Sequence, residues 1–186
     1  MDLQSIADRV KGILLEPRKE WEKIRTEQTS NKELILYYVL PFVALAALIS
    51  LLAIWSNNYL GFWLALRFAV LQLVLPIITV IVTAVVINEL AETFNSSKDL
   101  NSAMKLMAYS YTPFLLINII TSISWTLGFL SLLGLYGVYL LWVGLPVMMK
   151  TPKDKRLAYI VAAFVAVLLV NIIISALFGI DRLGYY

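Results

Sequence analysis

A helix needs about 20 mostly apolar residues to cross a hydrocarbon core, and stretches of that kind recur five times along the chain, over residues 34–55, 62–90, 104–124, 129–149 and 157–178. The turn-forming Ser56-Asn57-Asn58 closes the first. The second has Phe68 to Ile87 as its uncharged centre and continues as a polar helix through Asn88, Glu89 and Glu92 until Asn95-Ser96-Ser97. A short turn from Trp125 to Gly128 joins the third and fourth as a tight hairpin. Thr151-Pro152-Lys153-Asp154 precedes the fifth; Thr as cap, Pro at the first position and Asp at the third make a helix start, with an ordinary loop as the alternative. Ahead of all five, Leu3, Ile6, Val10, Ile13 and Leu14 recur at helical spacing, and Pro17 starts a second short helix carrying Trp21 and Ile24. This head either lies along a membrane surface or packs on the ends of the spans. It does not read as a signal peptide, because a long charged segment comes before the apolar stretch and no small-residue cleavage site follows.

Composition agrees with lipid as the solvent. Of 186 residues 61% are apolar and 15% charged, against roughly 45–50% and 25% in soluble domains, and the mean hydropathy is +0.83. The cations are unevenly spread. Arg9, Lys11, Arg18, Lys19, Lys23, Arg25 and Lys32 precede the first span, Lys98 and Lys105 lie between the second and third, and Lys150, Lys153, Lys155 and Arg156 lie between the fourth and fifth. Only Arg67 and Arg182 remain for the opposite side. Loops rich in Lys and Arg stay cytoplasmic, so the expected topology has the N-terminus in the cytoplasm and the C-terminus outside. The predicted class is all-α: an integral membrane bundle of five transmembrane helices over residues 34–178, a cytoplasmic amphipathic segment over 1–33 and a short external tail over 179–186.

Three stretches carry a family likeness. Leu15-Glu16-Pro17-Arg18-Lys19-Glu20-Trp21-Glu22-Lys23-Ile24 supplies a Pro and Trp element before the first span. Ala108-Tyr109-Ser110-Tyr111-Thr112-Pro113 is similar to a Gly-Tyr-x-x-x-Pro motif of the third span, with Ala in place of Gly. Leu135-Tyr136-Gly137-Val138-Tyr139-Leu140-Leu141-Trp142-Val143-Gly144-Leu145-Pro146, followed by Lys150 to Tyr159, matches a fourth span and basic loop. Together these resemble the Yip proteins, named as interactors of Ypt/Rab small GTPases, and in particular their bacterial relatives. The Asp-Leu-Tyr-Gly-Pro motif of eukaryotic members is absent before the first span, so GTPase recruitment is not carried over. The resemblance implies five spans, a cytoplasmic N-terminus, residence in the cytoplasmic (inner) membrane of a bacterium, no settled activity, and Tyr109, Pro113, Pro17 and Trp21 as motif positions.

Candidate chemistry is sparse. The chain has no Cys and no His, which removes thiol nucleophiles, imidazole bases and Cys/His zinc sites. No Asp lies within a span and no phosphate-cradling glycine loop is present, so no enzymatic activity, cofactor or metal is expected. Pro41, Pro76, Pro113 and Pro146 place one proline in each of the first four spans. Each frees the carbonyl four residues earlier, on Tyr37, Gln72, Tyr109 or Trp142, and either kinks the helix for packing or opens a polar site. Glu89 and Glu92, three residues apart with Asn88 adjacent, form a candidate ion site with Lys98 or Lys105 as counter-charge, or else a solvated helix end.

Gln72, Asn118 and Asn171 are the deeper polar side chains, with hydroxyls at Thr79, Thr83, Thr121 and Ser175; helix-to-helix hydrogen bonds and a permeation path are their two readings. Tyr109 and Tyr111 also suit interfacial anchoring, and Arg67, without an acid nearby in sequence, suits snorkelling. Gly134, Gly137 and Gly144 share about one face of the fourth span, open to a neighbouring helix or to a second copy. The leading expectation is a non-enzymatic organiser or adaptor that engages anionic lipid headgroups or protein partners at the cytoplasmic face. A small ion or solute transporter is the alternative. The basic segments border the bilayer, so headgroups rather than nucleic acid are the expected partner.

Overall fold

The computed structural model describes residues 3–56, 61–123 and 125–178, and every regular element among them is helical. Asn57 and Asn58 of the first turn, Arg182 and the 179–186 tail lie outside the described residues, as does the side chain of Ser175.

Two helices form the head. In α1 (Leu3–Leu15) the apolar stripe turns inward at Ile6 and Ile13. Pro17 opens α2 (Pro17–Thr26), where its missing N–H costs nothing. Pro17, Glu20, Trp21 and Ile24 are all buried, a spacing of one helix face.

The first span runs over Asn31–Ser56. A capping box of Ser30 and Glu33 starts α3 (Asn31–Leu34). A π turn over Ile35–Val39 leads into α4 (Leu40–Ser56). The wide turn sits just before Pro41 and is closed by Leu40 N–H donating to the Ile35 carbonyl, which absorbs the clash a proline ring makes with an ordinary turn.

The second span, α5 (Gly61–Leu90), has 30 residues with Pro76 inside. At 1.5 Å per residue it is about 45 Å long, more than the roughly 30 Å core it crosses. It ends earlier than the polar pattern predicts: Glu92 opens a separate 3₁₀ turn (Glu92–Phe94), because Asn95 takes the left-handed conformation at φ 53° and Ser96 N–H returns to the Ala91 carbonyl. Asn tolerates that conformation better than most residues.

The third span is broken. Its first part, α6 (Leu100–Ser110), is capped by Asp99 and begins four residues before the apolar run; α7 (Thr112–Thr121) follows after Tyr111, with Pro113 in its first turn. Pro113 cannot donate to the Tyr109 carbonyl, and the Thr112 hydroxyl does so instead at 2.7 Å.

The expected turn from Trp125 to Gly128 is instead the start of a 3₁₀ helix over Trp125–Leu135, continued by α8 (Tyr136–Met148). A 3₁₀ helix eclipses side chains three apart, and Gly128, Ser131 and Gly134 occupy one such row, where small residues ease the crowding.

The fifth span, α9, covers Arg156–Phe178, so Pro152 does not start it. Thr151 turns inward rather than capping a helix, donating to the Leu145 carbonyl at 3.4 Å and accepting from the Ser96 hydroxyl at 2.8 Å. The end of α8 claims the hydroxyl that the cap would need.

Five helices are long and apolar enough to cross a membrane: Asn31–Ser56, Gly61–Leu90, Leu100–Thr121, Thr126–Met148 and Arg156–Ile173. Helix α5 packs against α4, α6 and α9, and α8 fits between α2 and α6. Outward-facing Leu48, Leu52, Val70, Val85, Leu169 and Ile172 leave a broad apolar surface, as lipid contact requires. One end is cross-tied. Lys105 Nζ donates to the Glu27 carbonyl at 2.6 Å, Asn101 Nδ2 to the Thr29 carbonyl at 2.8 Å, and Ser97 N–H to the Met149 carbonyl at 2.7 Å. The head and the two basic loops therefore form a single cap, and the head packs on the span ends.

Candidate functional site

The family-motif positions meet where the head joins the third span. Tyr109 is only 1% exposed; its ring lies edge-on to Tyr38 at 4.6 Å and to Trp21 at 6.3 Å, and the Arg9 guanidinium sits 5.4 Å above it. A tyrosine so enclosed is a core residue, not the interfacial anchor that was its alternative. Trp21 in turn lies over Gly144 of α8, where an added Cβ would come within 2.6 Å of the indole. Pro17 sets the start of the helix that carries Trp21, and Pro113 sets the break just after Tyr109.

Around this aromatic group lies a buried ionic one. Arg9 bridges Glu20 (2.5 Å) and Glu27, and Lys23 reaches the second Glu20 oxygen at 2.9 Å. Burial works against charge on Arg9, yet the hydrogen bond to Glu27 and the nearby Glu27 and Glu20 charges outweigh it, so its pKa stands above the ordinary arginine value. Inspection of the sequence passes over this pair. The available signal was Glu20 itself, an acid on the same helix face as Pro17, Trp21 and Ile24.

Glu89 and Glu92 are both exposed at the head end of α5. Glu89 pairs with Lys98 at 2.6 Å and accepts from Asn88 Nδ2 at 3.2 Å. Asn88 itself is buried, with its carbonyl oxygen unpartnered. Lys105 turns away to the Glu27 carbonyl, and Glu92 sits on the 3₁₀ turn beyond the helix. Among the described residues no group of three or more His, Cys, Asp or Glu could hold a metal ion.

Gln72, Asn118 and Asn171 come together far from those carboxylates, beside a cleft of about 250 Å³ between α5, α7 and α9. Gln72 is the hub. Its Oε1 accepts from the Ser50 hydroxyl at 2.8 Å, and its Nε2 donates to Asn118 Oδ1 at 2.9 Å and to the Ser122 hydroxyl. Three spans are joined by this one amide. Thr79 and Tyr111 also line the cleft, whereas Thr83 is buried with an unpartnered hydroxyl and Thr121 donates to its own helix at the Asn118 carbonyl. Of the three glycines, Gly137 and Gly144 face Ser110, Trp21 and Leu106 of this chain, while Gly134 meets only Phe114 at 3.7 Å. Of the two readings of this face, a neighbouring helix of the same chain is the one seen at Gly137 and Gly144.

The family model described as the Yip1 domain matches residues 11–175, from the second half of α1 into α9. No curated protein and no solved structure matches the chain.

Proposed function

Because this membrane protein belongs to the Yip1-domain family, we propose that it is a non-enzymatic organiser of the bilayer, gathering anionic lipid headgroups or protein partners at the face where its head is folded. The excess of Lys and Arg there argues that this face is cytoplasmic, and the resemblance to bacterial Yip proteins favours the inner membrane of a bacterium. One observation supports the reading most directly. At the cross-tied end Lys11, Arg18, Lys32, Lys150, Lys153 and Lys155 take part in no ion pair among the described residues, and all six are exposed. Arg156 beside them stacks on the Trp142 ring at 5.2 Å. Cations left uncompensated at a membrane surface attract anionic headgroups by about 1 kcal/mol each.

The test reconstitutes the full chain in vesicles of phosphatidylcholine with a minor share of phosphatidylglycerol. Energy transfer from its tryptophans to labelled headgroups is the readout. Enrichment of phosphatidylglycerol over a random mixture is expected, falling with added salt and in the Lys150→Gln/Lys153→Gln/Lys155→Gln variant. Equal transfer from both lipids, or enrichment that the triple variant leaves intact, would refute the proposal. The competing ion-transport reading draws less support, since Glu89 and Glu92 are exposed and apart from the neutral residues of the bundle.

A further inference from the structure

The cleft between α5, α7 and α9 has a chemistry that the headgroup reading does not use. Among the described residues its lining holds Gln72, Thr79, Tyr111, Asn118 and Asn171 but no Lys, Arg, Asp or Glu, and Phe68, Leu71, Leu75 and Phe114 supply an apolar wall on α5 and α7. The volume of about 250 Å³ is the liquid share of about eight waters, more than a single bridging water needs.

Several polar groups on this lining have unused capacity. The Gln72 network engages Asn118 through its Oδ1, which orients its Nδ2 as a donor. Thr79 borders the cleft although it is only 2% exposed. Asn171 donates Nδ2 to the Val167 carbonyl at 2.8 Å, which leaves its Oδ1 as an acceptor. The surroundings of Asn171 are decisive: on the same helix Leu168, Leu169 and Ile172 are exposed by 47%, 53% and 62%, so this amide stands on a surface bathed by hydrocarbon, where no water can satisfy a polar group. Pro76, at the floor of the cleft, removes the N–H that would bond the Gln72 carbonyl, and the break at Tyr111 borders it on the third span.

An occupant must therefore both donate and accept hydrogen bonds, must carry no charge, and must be reachable from the lipid side. A hydroxyl group satisfies the first two conditions, and an acyl chain satisfies the third. We propose that this cleft binds the hydroxyl-bearing headgroup of an uncharged membrane amphiphile of the acylglycerol class, its chain lying along the apolar wall and the outer face of α9.

Thermal unfolding of the full chain in detergent tests this with monooleoylglycerol as the probe. Methyl oleate, which keeps the chain and lacks the hydroxyls, phosphatidylglycerol, which adds charge, and glycerol alone are the comparisons. Monooleoylglycerol should raise the unfolding temperature saturably, and Asn171→Leu and Thr79→Val should each raise the half-saturating concentration about five- to tenfold, the equivalent of one lost hydrogen bond. Two variants on different helices guard against a folding defect in either. Equal stabilisation by methyl oleate or by phosphatidylglycerol, no saturable shift, or a shift that both variants retain would overturn the assignment. Saturation by glycerol alone would also overturn it, identifying a water-borne solute in place of a lipid.

Discussion

Replacing Gly144 by alanine should loosen the head from the bundle. The added Cβ would stand 2.6 Å from Trp21 Cε2, 2.7 Å from Leu106 Cδ1 and 2.8 Å from Trp21 Cζ2, all well inside van der Waals contact. Trp21 has no room to retreat: it is fully buried and wedged against Tyr109. Leu106 is fully buried as well. Overpacking of this kind costs about 1–3 kcal/mol, and here the strain is relieved most readily by displacing α2, which lies outside the five spans. Trp21→Leu alone removes much of the ring's packing and should cost about 2–4 kcal/mol, somewhat less than full truncation to alanine. In the double variant the smaller side chain leaves space for the methyl group, so the two penalties should fall short of their sum by about 1 kcal/mol or more. Equilibrium unfolding in mixed micelles gives all three values, and limited proteolysis after the basic residues of α2 reports whether the head is released. An alanine variant as stable as the parent, or strict additivity in the double variant, would show that the Trp21 and Gly144 contact does not hold the head in place.

Breaking the buried ion pair should have a similar outcome by a different route. Glu20→Gln leaves Arg9 with Glu27 as its remaining acidic partner and should destabilise the fold by about 3 kcal/mol, with the head cleaved by trypsin earlier than in the parent. Asp99→Ala removes the acceptor for Asn101 and Ser102 N–H and should cost about 1 kcal/mol, measured in the same unfolding assay. Its bond to the Ser102 side chain and the two backbone donors outweigh partial burial and hold the Asp99 carboxyl below its usual range. A lowered folded pKa means that this contribution is complete above the ordinary aspartate pKa and is lost as pH falls through the lowered one; the difference between parent and alanine variant should shrink in that acidic window and not near neutrality. Glu89→Gln, by contrast, touches an exposed pair whose side chains are 59% and 39% accessible, and the unfolding transition should coincide with that of the parent; a resolvable loss of stability would show that this carboxylate is more than a surface partner of Lys98.

The apolar runs were enough to establish the helical class and the five spans, because a hydrocarbon solvent demands about 20 consecutive apolar residues wherever a helix crosses it, and that demand acts locally. Pro17 likewise announced the start of the helix that carries Trp21 and Ile24. What local pattern could not reveal was competition between distant groups. Thr151, Pro152 and Asp154 read as a helix start, yet the Leu145 carbonyl and Ser96 hydroxyl, brought close only by folding, engage the threonine. Glu89 and Glu92 looked like neighbours on one helix until Asn95 turned the chain after Leu90.

The pairing of Arg9 with Glu20 and Glu27, the seating of Trp21 on Gly144, and the meeting of Gln72, Asn118 and Asn171 beside one cleft all join residues from separate helices. The sequence determined which segments enter lipid and which residues must avoid it, since transfer free energy is a property of each segment. Which polar groups then satisfy one another was decided by tertiary packing, because a hydrogen bond or ion pair depends on separations of a few ångströms that only the assembled helices define.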